Sequence, residues 1–531
     1  QAWTYQQQMT SLSRLLLEQF RAVKLERGWI DMNDVESAAL HLLGDEDLGG
    51  WMQERLDAQI RHVLIDEFQD TNPLQWQALR AWLQSYAGAG RALGVFIVGD
   101  PKQSIYRFRR AEPQVFLSAA DFVRQALGGA VLKCDHTRRN APELIGAVNA
   151  VMADAVSQDG YPDFRAHSTG SGHHGAVLSL PVVPRAPAPQ ATQASGDLPA
   201  PWRDSLTQPR WEPEERQRET EARQAAAVLP PLLAERGLAA RDVMVLSRKR
   251  ESLLPMQQAL AALGIPADIG EKVPLYDCGE VQDLVALMDV LVSPRHDLSL
   301  ARVLRSPIFG LDSSALVPLA LAARRTGSAW LDLLLAPTGS MPEFDGPQAL
   351  ELQPLGPKLA RWQTWLLTLP PHDALQAIYD DGDLLARYAA AVPALQVDAV
   401  LTRLRALLAA ALGHEGGRYL TAYALVRALK AGQIEAPPVV RSEAVRLLTI
   451  HGAKGLEADL VLLLDTDTPT RAADTMGVLV DWPGHEACPR RFVFLLSESR
   501  PQACAQELLA QDRAAREREE LNALYVAMTR A

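Results

Sequence analysis

One short stretch constrains this chain more than any other: His62-Val63-Leu64-Ile65, followed at once by Asp66-Glu67-Phe68-Gln69-Asp70-Thr71. A short, unbroken apolar run reads as a buried parallel strand. In open α/β sheets, ligands bind beyond the carboxyl ends of the strands. Asp66 and Glu67 are therefore placed where a nucleotide's metal and its attacking water would lie. The next residues read as an ordered turn into a helix. Asn72 is a good N-cap, Pro73 suits the first helical position, and Gln75 completes a capping box. Strand, acid pair, loop and capped helix is the arrangement of a Walker B segment in a nucleoside triphosphatase. An acidic turn after any buried strand would look the same, so the pair alone does not decide; the rest of the chain does.

A chain of 531 residues exceeds one ordinary core, and about two to four domains are expected. With 48% hydrophobic and 22% charged residues the composition is globular rather than disordered. A net charge of -11 argues against a protein coated in positive charge, yet leaves room for nucleic acid in a local basic groove. Cys134, Cys278, Cys488 and Cys504 are widely spaced with no C-x-x-C pair, which suggests a reducing compartment and no zinc or iron–sulfur site. No apolar run is long enough to cross a bilayer. The start, Gln1-Ala2-Trp3-Thr4, has neither a signal pattern nor an initiator Met. We therefore expect a cytoplasmic segment cut from a longer chain, with no membrane partner.

Apolar residues at Leu12, Leu15, Leu16, Phe20 and Val23 give residues 11–27 helical spacing. Asn33 and Glu36 read as a capping box before a helix from Val35 to Leu43. Strands at His62–Ile65 and Val95–Val98, with a helix between them, open an α/β domain. From about 165 to 210 Pro, Ala, Gln, Ser and Gly crowd in, and Ala176–Leu180 is the one strand expected there. A helix over Glu214–Leu233 and a strand over Val243–Leu246 begin a second α/β unit, and Gly264-Ile265-Pro266 ends another helix. Between about 311 and 438 strand signals vanish and Ala and Leu recur in helical spacing, as in Leu401–Leu412 and Leu420–Leu429. Strand patterns return at Leu447–Ile450, Leu460–Leu464 and Phe492–Leu496.

Three further segments carry chemistry. Gly99-Asp100-Pro101-Lys102-Gln103-Ser104-Ile105-Tyr106-Arg107-Phe108-Arg109-Arg110 follows a strand directly. Gln103 sits at the strand's end, where an amide can touch a terminal phosphate or position a water. Aromatic rings among cations form a platform for single-stranded nucleic acid, with stacking worth about 1–3 kcal/mol per base. A cationic turn with inward-packed rings fits the same residues. Thr449-Ile450-His451-Gly452-Ala453-Lys454-Gly455-Leu456-Glu457 is a second post-strand loop, with glycines for close approach and His and Lys as phosphate donors. Leu524-Tyr525-Val526-Ala527-Met528-Thr529-Arg530 closes the chain on a helix. Arg530 there is either structural, paired with Glu519 or Glu520, or an arginine finger that neutralises charge on a transferred phosphoryl group.

Taken in order, Asp66 to Thr71, Gly99 to Arg109, Arg138-Arg139-Asn140, Thr449 to Glu457 and Tyr525 to Arg530 resemble the superfamily 1 DNA helicases of the UvrD/Rep type. The wording Asp-Pro-Lys-Gln-Ser-Ile-Tyr-Arg-Phe-Arg is most similar to the RecB/AddA branch, which works in double-strand break repair and recombination. The resemblance implies an ATP- and Mg²⁺-dependent motor that moves 3′→5′ on single-stranded DNA and unwinds duplex DNA, beside a partner subunit of a helicase–nuclease complex. It implies that Asp66 holds Mg²⁺, Glu67 activates the attacking water and Gln103 senses the γ-phosphate. Arg139 and Arg530 would reach the γ-phosphate, and Glu457 would bind the ribose. Tyr106 and Phe108 would stack on bases, while Arg109, His451 and Lys454 would grip the strand. Arg248, in Leu246-Ser247-Arg248, also matches a family position.

The implied fold is α/β, with two RecA-like parallel-sheet motor domains, the first incomplete, and a helical insertion in the second. The expected division is a helical tail of an accessory subdomain (1–30), a partial first RecA-like domain (31–165) and a linker with one strand (166–210). The second RecA-like domain (211–310 and 439–531) is then split by the helical insertion (311–438). ATP would lie in the cleft between the two lobes. Two departures from the family pattern stand out. Arg138 occupies the place of an adenine-stacking aromatic, where a guanidinium can still stack. No G-x-x-x-x-G-K-[ST] occurs, and a sheet without its first strand and phosphate loop would leave core exposed. Two other readings fit parts of the pattern: a non-catalytic DNA-binding or scaffolding subunit of a recombination complex, and an ATPase with no nucleic-acid task. Without the Gly-rich cradle for the β- and γ-phosphates, the purified 531-residue chain is expected to hydrolyse ATP negligibly. DNA-stimulated phosphate release in a coupled assay would contradict that expectation.

Overall fold

In the computed structural model, which describes residues 2–45, 50, 55, 60–84, 86, 93–159, 164–184, 213–270, 273–336, 352, 354–417, 420–437, 443–466, 475–483 and 486–531, the chain is mixed α/β with parallel sheets. It gathers into two units. One comprises Gln1–Val182, Leu246–Arg248 and Thr449–Ala531; the other comprises Val183–Val245 and Lys249–Leu448. Among the described residues no helix is long and apolar enough to cross a membrane, and all four cysteines are free thiols.

In the first unit the strands His62–Ile65 and Gly94–Ile97 run parallel, with His62 opposite Gly94 and Ile65 opposite Ile97. Alternate residues divide between two faces, as the pleat requires. Ile65, Val95 and Ile97 lie against a core of Phe68, Trp76, Leu83, Val115, Ala119 and Phe122. Phe68 and Phe122 meet the Trp76 ring edge-on, with centroids 5.7 and 5.8 Å away. The helices Pro73–Gln84 and Pro113–Gln125 supply that core. The other face is open, with Leu64 74% and Phe96 56% exposed. Among the described residues, helices cover only one face of the run.

The helical signals hold with shifted ends. The helix expected over 11–27 extends back to Ala2, because residues 3–10 are competent helix formers even without an apolar stripe. Asp31, not Asn33, caps the next helix, Met32–Gly44, in a reciprocal box with Asp34. Glu36 instead accepts from Asn72 Nδ2 at 3.0 Å and Gln75 Nε2 at 2.7 Å. The Asn72–Gln75 box forms, with backbone-to-side-chain distances of 3.2 and 2.9 Å. No strand forms over 176–180, where Val177 and Leu178 are exposed. The short strand of this region is Ser168–Thr169, parallel to His136–Thr137. The Pro- and Ala-rich residues 185–210 lie outside the described residues.

An antiparallel hairpin, Thr475–Asp481 with Arg491–Ser497, completes the first unit. Its inner residues Leu479, Val493 and Leu495 pack on Leu508 and Leu509 of the helix Gln506–Met528. Farther along that helix, Tyr525 joins Val148, Met152 and Ala155 of the helix Pro142–Asp159. Leu246 accepts from Leu464 N–H at 2.8 Å and Ser247 from Ile450 N–H at 3.0 Å, which places the post-strand loop beginning at Thr449 beside Leu246–Arg248.

The second unit holds Ala267–Ile269 parallel to Val445–Thr449, with Ala267 opposite Val445. Val243–Ser247 lies next to Val445–Thr449, on the side away from Ala267–Ile269, and is buried at every position, the pattern of a strand covered on both faces. The helices form a separate core whose buried members run from Leu275 to Ala436. That core begins earlier than the loss of strand signals near 311, because Gly279–Val292 is apolar almost all round and is enclosed by its neighbours. Two of its three acids, Asp283 and Asp289, are buried with partners. Asp283 accepts from Arg302 Nε at 2.7 Å and from the Tyr388 hydroxyl at 2.9 Å. Asp289 accepts from Lys430 Nζ at 2.9 Å and Ser299 Oγ at 3.1 Å, which offsets the cost of burying its charge.

Candidate functional site

Pairing continues past the ends of the two parallel strands and so places the loops that follow them side by side. Val98 N–H donates to Ile65 O at 2.8 Å, and Phe68 N–H donates to Val98 O at 3.0 Å. Asp66 Oδ1 accepts from Glu67 N–H at 2.8 Å, and the carboxylate is otherwise exposed. Glu67 adopts a left-handed backbone, φ 53°, a conformation that non-Gly residues seldom hold and that clusters at functional sites. Gln69 is buried and acts as the hinge pin of both loops. Its Nε2 donates to Glu67 Oε2 at 2.5 Å, its Oε1 accepts from Asp100 N–H at 2.9 Å, and its carbonyl accepts from Ser104 Oγ at 3.2 Å. Gly99 is required beside it, since a Cβ there would stand 2.7 Å from both Gln69 Oε1 and Phe116 Cε2.

The loop Thr449–Glu457 turns back on itself through Gly455 at φ +81° and brings Lys454 to the acids. Lys454 Nζ lies 2.6 Å from Asp70 Oδ2, 3.2 Å from Glu67 Oε2 and 3.0 Å from the Gln103 carbonyl, and its side chain is only 6% exposed. Burial raises the Asp70 carboxyl above its usual range, and the Lys454 hydrogen bond and charge pull it partly back. Asp70 Oδ1 is buried with no hydrogen-bond partner.

Beside this cluster lies an aromatic one. Tyr106 and Phe108 meet edge-on at 5.8 Å, and the His451 ring stands 6.0 Å from the first and 5.5 Å from the second. Arg109 lies over both rings, at 5.0 and 5.6 Å. The Tyr106 hydroxyl donates to His451 O at 3.2 Å. Phe108 is 67% exposed, so the inward-packed alternative fails for that ring, while Tyr106 is half-buried.

The arginines converge as well. Arg139 Nη2 donates to Thr529 O at 3.0 Å and Nη1 lies 3.4 Å from Glu457 Oε2. Arg530 is 2% exposed. It pairs with neither Glu519 nor Glu520; its Nε donates to Val526 O at 3.0 Å and its Nη2 to Thr529 Oγ1 at 3.2 Å. Burial chiefly, and then the neighbouring Arg139 cation, hold its pKa below the usual guanidinium value. Gln103 Nε2 rests 3.2 Å from Asp100 Oδ2. Arg138 is exposed. Arg248 is paired with Glu520.

Asp66, Glu67, Gln103, Tyr106, Phe108, Arg109, Arg139, His451, Lys454, Glu457 and Arg530 thus all fall in one compact unit, although they come from segments hundreds of residues apart. Arg107 is paired with the helix Gln506–Met528. Its Nη2 donates to Asp512 at 2.6 Å and its backbone N–H to Glu519 at 2.9 Å. Sequence reasoning missed Gln69 and Asn522. Asn522 is buried, and its Nδ2 donates to Ser104 O at 2.9 Å and Pro101 O at 3.2 Å, so the C-terminal helix clasps the Gly99–Arg110 loop. The one signal for Asn522 was a polar residue on the apolar face that also carries Tyr525 and Val526. Among the described residues no group of three or more His, Cys, Asp or Glu could hold a metal.

Residues 2–123 match the family model of the UvrD/REP helicase N-terminal domain, and residues 213–334 and 418–531 match that of the UvrD-like helicase C-terminal domain. Similar curated proteins are named as the A-type subunits of ATP-dependent helicase/nucleases. That of Listeria monocytogenes serotype 4b is 26% identical over 98% of this chain and 43% of its own length. That of Geobacillus thermodenitrificans is 28% identical over 98% and 43%. That of Enterococcus faecalis is 26% identical over 99% and 43%. The chain therefore spans about 43% of the length of the curated relatives it matches.

Asn522→Ala removes a buried donor from two loop carbonyls, and an unmade buried hydrogen bond costs about 1–3 kcal/mol. Urea denaturation of the variant is expected to show a loss of that size. A midpoint equal to that of the parent would mean that the loop is held without Asn522.

Proposed function

We propose, because this chain belongs to the UvrD/REP helicase family, that it is the motor segment of an ATP-dependent DNA helicase. It would move 3′→5′ on single-stranded DNA, unwind duplex DNA during double-strand break repair and recombination, and act in the cytoplasm beside a partner subunit of a helicase–nuclease complex. The observation that carries this reading is the convergence of an acid pair, an amide and two arginines in one unit, next to an exposed aromatic–cation cluster. Phosphoryl transfer needs positioning and charge neutralisation more than covalent chemistry, and these groups suit both.

Asp66 is the residue that would hold Mg²⁺; its exposed carboxylate fits an ion that keeps most of its coordination shell as water and phosphate oxygens. The bound ion supplies neutralisation of charge on the β- and γ-phosphates. Glu67, adjacent to it, accepts the proton of the attacking water. Gln103 touches the γ-phosphate from the neighbouring loop. Arg139 and Arg530 offset the charge that spreads over the transferred group, and Arg530 does so from a site where desolvation strengthens its field. Glu457 binds the ribose, and Arg138 stacks on the adenine. Tyr106 and Phe108 stack on successive bases, with Arg109 and His451 beside the phosphates.

In the full-length protein, Glu67→Gln is expected to lower ATP turnover by at least about 10²-fold, within the range for a general base, while ATP binding by fluorescent-analogue titration persists. Equal loss of binding and turnover would remove Glu67 from the role of base. The double substitution Tyr106→Ala with Phe108→Ala is expected to weaken affinity for a thymidine oligonucleotide by stacking-sized amounts, about 1–3 kcal/mol per base. Fluorescence anisotropy reads this, and an unchanged affinity would exclude both rings from the strand site.

A further inference from the structure

Lys454 sits poorly as a strand-gripping cation. Its side chain is 6% exposed, and its three short contacts are to Asp70, the Gln103 carbonyl and Glu67. To reach a backbone phosphate it would have to leave half-exposed Glu67 and the more enclosed Asp70, whose Oδ1 is buried with no hydrogen-bond partner. Meanwhile the same turn carries His451, three residues earlier, into contact with the Tyr106 and Phe108 rings. Tyr106 is tied to both ends of the turn. Its hydroxyl donates to His451 O at 3.2 Å, and its ring lies 5.1 Å from Lys454 Nζ. His451 thus touches both rings that would carry bases, and Gly452 and Ala453 alone separate it from the ammonium that holds Glu67.

We propose that Lys454 is a positioning residue that fixes Glu67 and Asp70 and links occupancy of the aromatic cluster to the acid pair, instead of gripping DNA. This rests on the reading of Glu67 as the water-activating base. Glu67 Oε2 is held by two donors, Gln69 Nε2 at 2.5 Å and Lys454 Nζ at 3.2 Å. A shift of the Thr449–Glu457 turn changes one of them and leaves the other. The carboxylate's orientation then depends on whether a strand is bound.

The test uses the full-length protein and measures ATP turnover with and without a saturating thymidine oligonucleotide, together with oligonucleotide affinity over a salt series. Lys454→Met is expected to lower the ratio of stimulated to unstimulated kcat by at least about tenfold. Affinity should stay within about twofold at every salt concentration, with an unaltered salt slope. Lys454→Arg should restore part of the ratio. An unchanged ratio overturns the inference, as does weakened binding with a salt slope shallower by about one phosphate contact. Asp70→Asn leaves Lys454 in place and keeps the test decisive if Lys454→Met folds poorly. It should also depress the ratio without changing affinity, whereas tighter DNA binding would reveal a grip set free and overturn the proposal. Glu67→Gln separates the two failures. Turnover retained in that variant sinks the base assignment, and turnover lost there alongside an unchanged Lys454→Met ratio sinks only the role given to Lys454.

Discussion

A buried ammonium must be paired, and that requirement organises the candidate site. Lys454 is almost fully enclosed, with Asp70 and Glu67 as its counter-charges. Removing one partner of a buried pair costs roughly 3–5 kcal/mol, because the other charge is left stranded. A turn near the C-terminus of the chain is thereby fastened to the end of a strand 384 residues earlier. The aromatic cluster, the acid pair and the arginines keep their places relative to that fastening.

A second set of contacts does for the Gly99–Arg110 loop what Lys454 does for the acids. The helix Gln506–Met528 presents Asp512, Glu519 and Asn522 along one side. Each binds the loop, the two acids through Arg107 and the amide through two carbonyls. A loop of this length needs its backbone polar groups satisfied when covered, and here another segment's side chains satisfy them. The loop's rings are then free to face outward on a held backbone. Precision of that kind favours a binding surface over a mobile excursion.

The second unit is governed by packing instead. Gly279–Val292 is buried along most of its length, and its acids are partnered: Glu280 by Arg403, Asp283 by Arg302 and Tyr388, and Asp289 by Lys430 and Ser299. Cys278, at its start, is pushed up to about 11 by burial, which makes it a packing residue rather than a reactive thiol.

Much was legible in the chain before any coordinates. Local pattern determined the strands at His62–Ile65 and Val243–Leu246, the Asn72 cap, the helices of the second unit, and the post-strand positions of Asp66, Gln103 and His451. All of these depend on neighbours within a few residues, where spacing and capping chemistry act. Local pattern did not say which residues of the first sheet would be the exposed ones, Leu64 and Phe96, because burial of a strand depends on which elements cover it. Nor did it separate Arg107 from Arg109, or Lys454 from His451, which look alike as cations in a loop. Tertiary structure decided which of them are paired. A charge next to a distant carboxylate becomes a fastening and a charge left at the surface stays available, and no residue's own sequence neighbourhood records which carboxylate will arrive.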